Sequence, residues 1–127
     1  MRVDVLKVLD PAEGIVFFRG DFGSASGRWK GHEPAETGHF AVEFTLPAAE
    51  EWTAATCEEP ALSGAAEPGS DVWFRCQVER VYDDAVVVAR MGPHIFYVEI
   101  PNRTSELPEG RFISFRVPEI ELYPYDA

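Results

Sequence analysis

The chain predicts an all-β fold, a small barrel or sandwich with at most one short helix. Three observations carry this expectation. Apolar residues recur at every second position in several stretches, ten glycines and ten prolines divide the chain into short runs, and a single segment is rich in helix formers. At 127 residues, 46% hydrophobic and 13% aromatic, the chain suits one domain (residues 1–127) with a real core. That composition is incompatible with a disordered acidic polymer.

The first expected strands are Val3–Leu9 and Ile15–Phe18. The stretch from Gly20 to Gly38 holds five of the ten glycines and reads as a long loop, which in a compact domain points towards function. Within it, Gly23-Ser24-Ala25-Ser26-Gly27 precedes Arg28 and Lys30 but lacks the Gly-Lys-Ser/Thr ending of a phosphate-binding loop. Trp29, set between those two cations, reads either as an exposed interface anchor or as a ring folded back onto the barrel.

His39–Leu46 is the clearest strand, with Phe40, Val42, Phe44 and Leu46 on one face. Ala48–Cys57 is the helical candidate: it is alanine-rich, follows Pro47, and places Glu50 and Glu51 in a first turn, where a helix dipole favours anions. Ala61–Ser70 reads as a loop. Val72–Tyr82 is the next strand, with Val72, Phe74, Cys76 and Val78 in register. Asp83-Asp84 then offers a tight hairpin turn into Val86–Arg90. Ile95–Ile100, Arg111–Val117 and Glu119–Tyr123 complete the set, and Pro118 and Pro124 push the last two towards a sheet edge.

The segments also suggest two related three-strand units, within residues 3–46 and 76–117. Val5–Asp10 aligns with Val78–Asp83, Ile15–Arg19 with Val86–Arg90, and Phe40–Phe44 with Phe96–Ile100. The alternative is the general likeness of any strand–hairpin–strand segments.

A family resemblance rests on the second half: the strand pair about Asp83-Asp84, Val98-Glu99-Ile100-Pro101, Leu107-Pro108-Glu109-Gly110 leading into Phe112–Val117, and Ile120–Tyr123. With these, residues 72–125 resemble a small OB-type barrel of the TOBE kind. The resemblance implies that the last strand closes a barrel. It also implies a ligand such as an oxyanion, with Arg75, Arg90, Arg103 or Arg111 as binding groups.

Charge is the main functional signal. Between Gly31 and Phe74 there is no lysine or arginine, yet there are nine acids, which carry most of the net charge of −11. Such a concentrated field steers a cationic partner. It repels nucleic acid and anionic membrane surfaces, so neither is expected as a partner. The N-terminal stretch has no hydrophobic run suited to a signal peptide and no segment suits a membrane span, so a cytoplasmic location is expected.

Catalytic constellations are not legible. His32, His39 and His94 lack the close spacing of a zinc site. Cys76 falls on an apolar strand face, and Cys57 precedes Glu58 and Glu59, which oppose a thiolate. Glu50-Glu51, Glu58-Glu59 and Asp83-Asp84 read as solvated charge. The expectation is therefore a non-enzymatic protein with no metal or cofactor, whose acidic face covers a basic partner in the manner of an inhibitor or immunity protein against a nuclease toxin. Candidate contacts are Trp29, Glu50, Glu51, Trp52, Glu58, Glu59 and Glu67. The alternative is the small-ligand or oxyanion-binding module that the resemblance implies.

Overall fold

A computed structural model describes residues 1–125. It contains eleven strands: β1 (Arg2–Asp10), β2 (Ile15–Gly20), β3 (Gly23–Trp29), β4 (Gly38–Thr45), β5 (Glu51–Ala54), β6 (Ala61–Gly64), β7 (Val72–Val81), β8 (Val86–Met91), β9 (His94–Glu99), β10 (Phe112–Val117) and β11 (Glu121–Pro124). The helical content among the described residues is one 3-10 turn, Thr104–Glu106. No helix among them is long and apolar enough to cross a membrane.

Five strands close a small OB-like barrel. β1 pairs antiparallel with β2 and β4, and β2 pairs with β3. β11 completes the ring, antiparallel to β4 and parallel to β3. The strand that closes the barrel therefore comes from the far end of the chain, and everything from β5 to β10 is inserted between the fourth and fifth staves. The inserted strands form an antiparallel sheet in the order β9-β8-β7-β10-β5. The short β6 links the two parts, antiparallel to β7 and parallel to β3 at Gly23 and Ser24.

Alternation places the buried residues. Val3 and Val5 on β1, Val16 and Phe18 on β2, and Val42 and Phe44 on β4 point inwards. Phe18 and Phe44 meet with ring centroids 5.6 Å apart. In the inserted sheet Phe74 stacks on Phe115 at 5.3 Å and tilts against Phe96 at 5.6 Å. The two sets of side chains belong to one continuous buried cluster.

Several expectations are corrected. The expected helix Ala48–Cys57 contains strand β5, because Trp52 turns inwards while Glu51 and Thr53 face solvent. Pairing of β5 with β10 outweighs the weak helical preference of the flanking alanines. The Gly20–Gly38 loop contains β3, and the Ala61–Ser70 loop contains β6. Neither reads as a strand from its sequence because small residues, Gly23–Gly27 in β3 and Ala61, Ser63 and Gly64 in β6, stand where apolar alternation would show. The final two strands are not at an edge: β10 lies between β7 and β5, and β11 between β4 and β3. Pro118 falls between these strands, and Pro124 ends β11 beyond its pairing with β3. β11 also closes the N-terminal ring, so residues 72–125 do not form a barrel by themselves. Of the aligned segments, β4 pairs with β1 whereas its counterpart β9 pairs with β8. The Asp83-Asp84 turn does join β7 to β8, with Ala85 in the left-handed region at φ 67° and Asp84 Oδ1 accepting from Val86 N–H at 3.3 Å.

Gly23 is where the two parts of the fold touch most closely. Its φ is +143°, and a Cβ there would overlap the Leu62 carbonyl. Gly69 is also left-handed, at φ +79°, but has open space around it. Gly23→Ala is expected to cost about 3 kcal/mol, from strain and overpacking together, and to lower Tm by about 10 °C. Gly69→Ala should cost about 1 kcal/mol, from backbone strain alone. Paired thermal melts check this, and equal losses would contradict the close-approach argument.

Candidate partner-binding face

The sheet β6-β7-β10-β5 buries one face and displays the other. Leu62, Val72, Phe74, Ile113, Phe115, Val117 and Trp52 point inwards. The alternate positions therefore face solvent, and register sets their order: Arg116 lies opposite Trp73 on one side and Glu51 on the other. Pairing of β7 with β6 places Ser63 beside Trp73 in the same row.

Arg116 is the hub of this face. Its guanidinium reaches Glu51 at 2.9 Å, Glu50 at 3.0 Å and Asp71 at 3.7 Å, and lies 5.7 Å from the centroid of the Trp73 ring. Its Nε is buried and has no hydrogen-bond partner. Three carboxylates gathered on one guanidinium leave a local excess of negative charge. Trp73, 43% exposed, stands at its margin as an aromatic surface. A large aromatic beside uncompensated carboxylates suits a cationic macromolecular surface, with the ring as anchor and the acids as the attracting field.

The expected contacts separate into distinct environments. Glu50 and Glu51 come together at the hub, joined by Asp71 from the same acidic run. Glu58 lines a separate cavity of about 330 Å³ with Arg111 and Phe112. The backbone carbonyl of Glu59 accepts from Arg75 Nε at 2.6 Å. Glu67 lies on the exposed loop between β6 and β7. Of the acids between Gly31 and Phe74, Glu50, Glu51 and Asp71 are the ones ion-paired to the hub among the described residues.

The two candidate tryptophans stand in different settings. Trp52 is 7% exposed, its indole N–H donates to the Asn102 carbonyl at 3.0 Å, and Arg103 covers its ring at 4.3 Å. It is a core residue because its position on β5 points inwards. Trp29 is half-buried and packs edge-on against Phe40 at 4.8 Å, so its ring folds back onto the barrel. The exposed tryptophan is Trp73, which the sequence candidates did not include; the alternation of Val72, Phe74 and Cys76 was the signal that could have found it.

Elsewhere the polar groups are largely matched to one another. A cavity of about 720 Å³ lies at one end of the barrel beside Arg28. Arg28 is held by Glu13 and Glu119, each at 3.1 Å, and the Glu13 hydrogen bond is the main cause of its raised pKa. His39 pairs with Asp4. His94 packs against Phe22, and burial lowers its pKa. Burial pushes the Cys76 thiol far up. No family model, curated protein or solved structure matches this chain.

Two outcomes follow from these placements. Trp52→Ala is expected to cost about 4 kcal/mol through cavity formation, whereas Trp73→Ala should cost under about 1 kcal/mol. Chemical denaturation checks the pair, and similar losses would contradict the assignment of core and surface. The half-buried Cys57 should react with a disulfide reagent in the native protein and the buried Cys76 only after unfolding. A native count of two fast thiols would overturn the burial of Cys76.

Proposed function

We propose that this is a non-enzymatic binding protein whose acidic sheet face engages a basic partner protein. An inhibitor that covers the cationic active site of a nuclease-like toxin is the concrete form of this reading. The observation that carries it is the gathering of Glu50, Glu51 and Asp71 on the single cation Arg116 beside exposed Trp73. Long-range attraction from the acidic surface raises the encounter rate, and Trp73 supplies the apolar contact that slows dissociation.

The oxyanion-binding reading of a TOBE-like module has less support. Its candidate cations do not converge. Arg75 donates to the Glu59 carbonyl, Arg90 pairs with Glu79, and Arg103 covers Trp52 while reaching Glu106, leaving Arg111 at the cavity beside Glu58.

The test is capture of partners from the native extract at low salt, followed by kinetics with the purified partner. A basic protein is expected, with association falling steeply as salt rises. Replacing Glu50 and Glu51 by lysine should slow association about tenfold with little change in dissociation, whereas Trp73→Ala should mainly speed dissociation. An association rate insensitive to both salt and charge reversal would sink the steering claim, and failure to capture any basic protein would sink the reading itself.

A further inference from the structure

Among the described residues, β9 ends the inserted sheet and pairs only with β8. Met91 and His94 close the hairpin, and on the opposite edge the Glu99 carbonyl accepts from Ala49 N–H at 2.8 Å. Backbone polar groups alternate between the two edges of a strand. Ile95 and Tyr97 therefore direct their N–H and C=O groups to the same outer edge as Glu99. Among the described residues, no hydrogen bond engages these four groups.

Apart from the Ala49 contact at Glu99, the edge is also unguarded. Proteins usually blunt such an edge with lysine, proline, a bulge or a very short strand. β9 runs for six residues without a bulge, and contains neither lysine nor proline. Its outward side chains include Ile95 at 49% exposure and Tyr97 at 65%. At the opposite end of the same sheet β5 is only four residues long and carries outward Glu51. Beside the β9 edge runs a groove of about 420 Å³, walled across from it by Val42, Glu43 and Phe44 of β4 and by Tyr125. β4 is held by β11 along Val42–Thr45 and by β1 over Gly38–Ala41 with Met1 on Val42, so its open stretch beside the groove is short and β9 offers the longer unpaired edge.

We propose that the free edge of β9 accepts an extended segment of a partner protein, alternating basic and apolar residues, as an added antiparallel or parallel strand. Only another backbone offers donors and acceptors at the spacing of Ile95 and Tyr97. The apolar side chains of the segment face inwards, towards Phe44 and Phe96 in the groove lining, opposite to the outward row of Tyr97 and Glu99. The basic ones meet Glu43 and Glu99, neither of which has an ion-pair partner among the described residues. A second copy of this chain is disfavoured as occupant, since it brings the same Glu99 and a net charge of −11 to the contact. The basic character of the segment rests on the function proposed above, but its place on the protein does not.

The probe is a fluorescent octapeptide of alternating lysine and valine, measured against the full chain at low salt. Its comparators are a glutamate–valine version and two lysine–valine versions methylated on one or the other alternating set of backbone amides. Binding is expected for the lysine–valine peptide, with amide exchange at Ile95 and Tyr97 slowed by about tenfold or more and that at Val98 little changed. One methylated peptide should bind at least about tenfold more weakly and the glutamate–valine peptide should not bind, while Glu43→Lys should weaken binding by about tenfold. Trp73→Ala should leave it unchanged.

Absence of binding at millimolar peptide, equal binding of both methylated peptides, or unchanged exchange at Ile95 and Tyr97 would each overturn the proposal. A dimer of the chain alone with those amides already protected would give the edge to a second copy and overturn it too. Peptide binding lost on reversal of Glu50 and Glu51 but kept in Glu43→Lys would move the segment to the Arg116 face, refuting this site while supporting the other. Peptide binding at β9 combined with partner kinetics indifferent to Glu50 and Glu51 would refute the other and leave this one standing.

Discussion

The architecture depends on how closely other chains can approach strand β3. One edge of β3 pairs with β2 throughout, while the other is shared between β6 at Gly23–Ser24 and β11 at Arg28–Trp29. Both contacts are parallel, and each has a β3 glycine at or beside it that leaves room for the incoming chain. A Cβ at Gly23 would overlap Leu62, one at Gly27 would overlap Leu122, and one at Gly64 would press on Ala25. Ser26, the buried polar residue of the seam, donates to the Ala65 carbonyl at 2.6 Å. The small residues of Gly23–Gly27 thus let β11 close the barrel and let the inserted sheet dock on it, and the continuous core follows from both.

Strand β7 answers β3 on the other side of the seam. It pairs with β10 along one edge and divides the other between β6 and β8. Because β7 is held on both edges over most of its length, the outward positions of its first half stand on a rigid sheet. Trp73 and Arg75 therefore present a defined surface rather than a mobile loop, a suitable base for recognition.

Electrostatics divide the surface into matched and unmatched regions. At the end of the barrel, Arg28 and Lys30 are met by Glu13, Glu119 and Glu121, which leaves little field to attract a ligand. At Arg116 the balance tips the other way, with three carboxylates on one cation. Exposed ion pairs of this kind contribute little to stability. The arrangement therefore matters for which partner it attracts more than for holding the fold. The free edge of β9 adds a second recognition element of a different type, directional hydrogen bonding in place of charge.

The sequence by itself determined the all-β class, the alternating strands and the concentration of acids between Gly31 and Phe74. Period-two burial and formal charge are local properties, so strands such as β4, β7 and β10 and the Asp83-Asp84 hairpin were legible there. The outward side of Trp73 was legible too, from the parity of its neighbours. Strands β3, β5 and β6 were not: β3 pairs with the adjacent β2 but its small residues carry no apolar period, while β5 and β6 take their β-structure from partners far away in the chain, Trp52 finding Phe115 and β6 bridging β3 and β7. Tertiary structure alone decided that β11 returns to close the first barrel, that Trp52 is core, and which acids meet at Arg116. These outcomes depend on long-range register and close backbone approach, and a linear pattern of residue types encodes neither.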